Sequence, residues 1–268
     1  MANNEQLTVV NANLVSYDFE VLEQGFAALD ALNEELGGDS NPEFATAKTP
    51  SSGMTAWSIK ATKDDEDPEI TKTIEGVIVH AHKTNAYWKD SLDAGGNAQP
   101  DCRSLDGVTG IDSDGFKQNC ATCPHNQFGS DANGRGKACK NSRVLYVLRQ
   151  DDYLPIKLTL APTGNKYYDK YVENLVIPKK RGQKPRRTKD VMTKIGLRVE
   201  TSSGGQKYSV PTFECVGDLD DDSKEAIRGY ADSLVSAAAA MQEHDAPQTA
   251  QKPARDDFVE VNDPSLPF

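Results

Sequence analysis

The sequence predicts an α+β chain, mainly β, centred on a small closed or partly open barrel. Alternating or apolar β-branched runs recur as hairpins between residues 55 and 216, while helical periodicity is confined to three stretches. Residues 90–141 form an irregular insertion that carries four of the five cysteines, and so long a stretch needs its own source of stability.

The elements follow in order. Residues 17–36 place Phe19, Leu22, Phe26, Leu29 and Leu32 at three- and four-residue steps, an amphipathic helix closed by Gly37-Gly38. Residues 38–53 read as loop. Residues 55–62 alternate as a strand, "KDDEDP" turns, and 69–88 begin polar-apolar and become a buried strand at Val77–Val79. After the insertion, "SRVLYVLRQDDYLPIKLTLAPT" is a hairpin around Asp151-Asp152. "NKYYDKYVENLVI" is a short helix with Tyr168, Tyr171 and Leu175 on one face. Residues 178–189 are a basic loop, and "VMTKIGLRVETSSGGQKYSVPTFECV" is a hairpin turning at 203–205. "DLDDDSKEAIRGYADSLVSAAAAMQ" offers several Asp caps and runs on as a helix. The chain thus divides into an N-terminal helical extension and loop (1–53), a barrel core (54–217) containing a zinc module (100–141), a C-terminal helix (218–242) and an acidic, disordered tail (243–268).

Composition narrows the function. A mean hydropathy of −0.62 says that part of the chain is not packed. No apolar run is long enough to span a bilayer, and the start lacks a basic then apolar leader, so the expected address is cytoplasmic. The net charge of −11 hides a segregation: residues 137–207 carry 17 Lys/Arg against 6 Asp/Glu, whereas residues 213–268 carry 4 against 13. A basic middle between acidic ends points to a polyanion site.

Cys102, Cys120, Cys123 and Cys139 are spaced C-x17-C-x2-C-x15-C. "CATC" presents two thiolates from one turn, and the outer pair can complete a tetrahedron around structural Zn²⁺, whose binding free energy becomes folding free energy. His125 in place of Cys102 is an open alternative. A redox C-x-x-C would start a helix after a strand, which this loop does not resemble. No H-x-E or H-E-x-x-H motif supplies a catalytic zinc site, and no catalytic residue is assigned. Cys215 reads as a core thiol, and His80 and His82 as ordinary residues on one strand face.

Aromatic residues sit beside cations in the middle of the chain: Tyr87 and Trp88 before Lys89, Tyr146 between Arg143 and Arg149, and Tyr167 after Lys166. The loop adds Lys179, Lys180, Arg181, Lys184, Arg186, Arg187 and Lys189. Single-stranded nucleic acid binds through this combination, cations on phosphates and aromatic faces on bases.

The last residues, "DPSLPF", resemble the tip of bacterial single-stranded DNA-binding proteins, an acidic end closing on Ile/Leu-Pro-Phe. Asp263, Leu266, Pro267 and Phe268 match, while Pro264 and Ser265 depart from the usual aspartates. "VIVHAHKTNAYW", "CATCPHNQFGS…GRGKACKNSRVLYVL", "LPIKLTLAPTGNKYYDKY" and "YSVPTFE" resemble phage and prophage single-stranded DNA-binding proteins with a zinc-stabilised insertion. The resemblance implies an OB-like barrel and a non-enzymatic role in phage DNA replication and recombination, in the host cytoplasm. It also implies that the tip recruits replication or recombination proteins. Homo-oligomerisation is left open. The alternative is a recombination mediator or transcription accessory factor whose zinc module binds a protein.

Overall fold

The computed structural model describes residues 14–16, 22–25, 27, 31, 34–35, 43–50, 53–62, 65–90, 99–179, 182, 184–202 and 204–244, the last ten by backbone alone. Their strands are β1 (Leu14–Val15), β2 (Thr46–Lys48), β3 (Trp57–Lys60), β4 (Glu69–Thr71), β5 (Thr73–Tyr87), β6 (Cys102–Ser104), β7 (Thr109–Asp112), β8 (Lys117–Asn119), β9 (Lys140–Leu148), β10 (Ile156–Leu160), β11 (Val191–Thr201) and β12 (Lys207–Leu219). The helices are α1 (Asn165–Val176) and α2 (Asp221–His244). The described residues between 22 and 35 are helical too.

The strands form one mixed sheet in the order β1-β12-β11-β5-β9-β10-β2-β3-β4, with β6, β7 and β8 branching from the far end of β5. The sheet is open and curled, a half-barrel that narrows the predicted "closed or partly open" to the second form. Its curl brings β3 over to β11, where the indole N–H of Trp57 donates to the Ile195 carbonyl at 3.1 Å.

Strand β5 is the spine. Its first residues pair with β11 and the rest with β9. At the handover stands Gly76, where a Cβ would lie 2.5 Å from the Leu148 carbonyl oxygen, so only glycine permits the approach. A bulge between Ile78 and His80 adds the local coil that the curl needs.

Both faces of the central strands are buried, which is why "VLYVL" reads as a continuous apolar run. On the concave face Leu145 and Val147 pack with Trp57, Ile78, Leu158 and Ile195, and α1 closes this core with Tyr168, Tyr171 and Leu175. On the convex face Val144, Tyr146 and Leu148 pack with Leu22 of the N-terminal helix and with Ile227, Tyr230 and Leu234 of α2. Helix α2 starts where the Ser223 N–H donates to Asp220 Oδ1 at 2.7 Å, which selects Asp220 among the predicted caps.

Three expectations need correction. The loop read over 38–53 contains β2, which pairs in parallel with β10. The irregular stretch 90–141 contains the β6–β8 meander, whose strands of three to four residues are too short for an alternation signal. Residues 218–219 end β12 rather than begin the helix. Among the described residues no helix is long and apolar enough to cross a membrane.

Candidate nucleic-acid interface and cysteine cluster

The module between β5 and β9 is built from short turns stapled by carboxylates. Asp106 Oδ1 accepts from the Ser104 hydroxyl at 2.8 Å and from the N–H groups of Val108 and Thr109 at 2.7 and 2.8 Å. Partial burial opposes its charge, but these donors hold the carboxyl below its usual range. Asp112 Oδ1 closes the next turn on the N–H groups of Asp114 and Phe116.

These turns bring all four predicted cysteines to one cavity. Cys102 lies on β6, Cys120 follows β8, Cys123 precedes the single turn Pro124–Asn126, and Cys139 precedes β9. The Cys120 N–H donates to the Val108 carbonyl and the Cys139 N–H to the His125 carbonyl, each at 2.8 Å. The cavity they line holds about 10 Å³, room for roughly one water-sized probe or one ion. Gly110 is required beside it, since a Cβ there would come within 3.0 Å of Cys102 Sγ and 3.5 Å of Cys120 Sγ.

Burial raises the Cys102 thiol above its ordinary value, and the neighbouring Cys120 and Cys123 raise it further. The Cys139 thiol is pushed up to about 11, first by burial and then by the other three cysteines. A bound cation would offset both effects at Cys102 and Cys139. Among the described residues no three His, Cys, Asp or Glu side chains already stand at ligand geometry, so the sulfurs share a cavity wall rather than a closed coordination sphere. Four thiols around one ion-sized space are nonetheless the donor set that suits tetrahedral zinc. His125 lines the same cavity with its ring stacked on Tyr87, centroids 4.0 Å apart, and keeps its place as the alternative ligand.

The predicted strand contacts separate into three groups. Lys179, Lys184 and Arg187 are exposed, with no ion pair among the described residues, as is Lys89, whose backbone N–H donates to Asp101. A second group is engaged within the fold. Arg143 pairs with Asp169 at 2.9 Å and lies over the Tyr168 ring. Arg186 reaches Asp218 at 3.1 Å, and Lys189 reaches Asp232 at 3.7 Å. Lys166 and Arg198 both lie against the Tyr167 ring, whose hydroxyl donates to Glu200. Tyr87 has one face on His125, and Trp88 is half-buried, its indole N–H without a partner among the described residues.

In the third group only Tyr146 is corrected. Tyr146 is 4% exposed on the convex face between Phe44, His80 and His82, leaving no face for a base. Arg149 is held by Glu69 at 2.8 Å and Asp152 at 2.6 Å. Lys180, Arg181 and the tip residues Asp263, Leu266, Pro267 and Phe268 lie outside the described residues. Cys215 packs partly buried against the concave core, and the Arg186 guanidinium stands 3.6 Å from its sulfur.

The aromatic rings open to solvent are ones that the sequence reading passed over. Phe128 is 82% and Phe116 70% exposed, both on the cysteine module, and Lys137 lies 5.1 Å from the Phe128 centroid. Isolated phenylalanines in a Gly- and Asn-rich stretch carry no periodic signal, but they are out of place in a module with so little core. Family models, curated proteins and solved structures were all searched, and none matches this chain.

Proposed function

We propose that this chain is a non-enzymatic single-stranded DNA-binding protein of phage replication or recombination, built on an OB-like half-barrel. The observation that carries the reading is a chain of net charge −11 that nonetheless exposes unpaired cations at Lys179, Lys184 and Arg187 and a cation-bearing aromatic platform at Phe128. Cations neutralise phosphates, and an open ring stacks on any base. A duplex reader would offer a basic helix to the major groove. Here α1 mixes exposed Lys166 and Lys170 with exposed Asp169 and Glu173, and the described surface of α2 is largely acidic.

Zinc on Cys102, Cys120, Cys123 and Cys139 would supply structural closure. The chain's own side chains do the rest: Gln118 donates to Cys102 Sγ at 3.2 Å, and Asn126 fastens the turn by donating to the Cys120 carbonyl. The tip would recruit partner enzymes, as its resemblance implies. The acidic runs offer nuclease chemistry little: Asp65 caps the Ala61 N–H, Asp218 pairs with Arg186, Asp220 caps α2 and Asp221 pairs with Lys224.

Titration of the full-length chain with labelled single-stranded DNA, duplex DNA and single-stranded RNA tests the reading. Preference for the DNA single strand over the duplex is expected, and equal or absent binding overturns it. The exposed Val108 and Phe116 favour the second reading, a module that grips a protein, and capture of a replication protein without DNA binding would select it.

A further inference from the structure

The β5–β9 ribbon continues past the barrel, and its concave face changes character as it goes. Leu145 on β9 and Ala81 on β5 belong to the core. Two residues further on, Arg143 stands directly opposite Lys83, and two beyond that Asn141 stands opposite Asn85. Directly opposed like charges destabilise a sheet, and Asp169 answers only the arginine. The exposed Lys83 has no ion pair among the described residues.

These residues line an open cleft of about 410 Å³ between the sheet, the start of α1 and the cysteine module, with Lys137 also in its wall. Its size falls within the ~300–1,000 Å³ of small-molecule sites, and amides and cations share its walls with Val108, Ala121 and the Asp169 carboxylate. The amides are held in a fixed relay. Asn141 Nδ2 donates to Asn85 Oδ1 at 2.7 Å, and Asn165 Nδ2 donates to the Asn141 carbonyl at 3.0 Å. That bond fixes the orientation of the Asn165 amide, since a flip would set oxygen against oxygen. Among the described residues, two buried polar atoms of the cleft residues have no hydrogen-bond partner: the acceptor Asn165 Oδ1 and the donor Arg143 Nε. Buried polar groups are otherwise nearly always paired.

We propose that this cleft takes one unstacked nucleotide of the bound strand, its phosphate against Lys83 and Lys137 and its base edge against the amide wall of Asn85, Asn141 and Asn165. Amide side chains, which both donate and accept, complement the mixed donor and acceptor edge of a base, and an anion relieves the Lys83–Arg143 opposition. The inference rests on the single-strand reading and adds a base-reading pocket to it.

The test is an NMR titration of the full-length chain, observing the side-chain amides of Asn85, Asn141 and Asn165 with dAMP, dCMP, dGMP, dTMP and inorganic phosphate, beside strand binding by anisotropy. The expected result is nucleotide-induced shifts at these amides and at least about a fivefold spread between best and worst base, the low end of paired base-edge discrimination. Asn165→Ala should collapse the spread, whereas Lys83→Gln should weaken all four alike. Strand binding with silent amides overturns the cleft and leaves the strand reading intact. Equal shifts from phosphate and all four nucleotides reduce it to an anion site and overturn base reading. If neither strands nor nucleotides bind, both readings fall. The wild-type titration decides these outcomes even if a variant folds poorly.

Discussion

Outside residues 102–139 the sheet buries aliphatic and aromatic side chains on both faces, with Trp57, Ile78, Leu145, Leu158 and Ile195 fully enclosed on one of them. From Cys102 to Cys139, by contrast, the buried members of the hydrophobic class are two cysteines, Cys120 and Cys139, while Phe116, Phe128 and Val108 face solvent. The sheet is held by area removed from water, the module by carboxylate-capped turns and whatever its four sulfurs bind. Burial alone would not fold the module, so under the zinc proposal metal and fold stand or fall together there.

The sharpest way to break that contrast is to remove the proposed metal. Chelation, or Cys120→Ser, should abolish the ordered module, read as new protease cleavage within 102–139. The β-sheet circular dichroism should survive. Joint loss of both regions would show that the sheet also depends on the site. The converse substitution, Trp57→Ala, removes a fully buried ring and its hydrogen bond to Ile195, and should lower global stability by about 3–5 kcal/mol in denaturant melts. Metal content should stay at the wild-type level in the folded variant.

How far the contrast was legible in the sequence follows from the same physics. Helix α1 was readable because Tyr168, Tyr171 and Leu175 share one face and all three are buried. The cysteine spacing singled out four distant residues that line one cavity. Strands β1 and β2 were not readable, because two- and three-residue strands pairing in parallel with β12 and β10 leave no local pattern. Tyr146 was misread through neglect of parity. Arg143 points to the concave face with Leu145, so Tyr146 must point to the convex one, and sequence proximity to a cation says nothing about sharing a surface with it. The same parity, carried on through Lys83 and Asn85, would have exposed the cleft.

Between these regions the contrast also sorts the aromatics. Phe128→Ala should weaken strand binding by about 1–3 kcal/mol, as loss of one stacking platform does. Tyr146→Phe should leave it unchanged, since that ring is sealed on the other face. A base cross-link mapping to Tyr146 would contradict this assignment.

A smaller effect distinguishes the two faces of the sheet by pH. Burial lowers His82 from 6.5 to about 4, with His80 and Lys157 adding to the depression. Between those two values the unfolded chain binds more protons than the folded one, so stability should fall as pH drops from 6.5 towards 4. His82→Gln should flatten part of that slope in thermal melts, and an unchanged slope would remove His82 from the account.

The most direct measurement is the affinity of the full-length chain for a labelled DNA single strand across a salt series, with zinc bound and with zinc removed. With zinc bound, log K should fall linearly with log salt at about 0.7 per neutralised phosphate, and Lys184→Gln and Arg187→Gln should each reduce the slope by about that amount. Zinc removal should weaken binding at every salt concentration, because Phe128 and the cleft wall belong to the module. Affinity independent of salt and indifferent to zinc would contradict both the polyanion surface and the module's part in it.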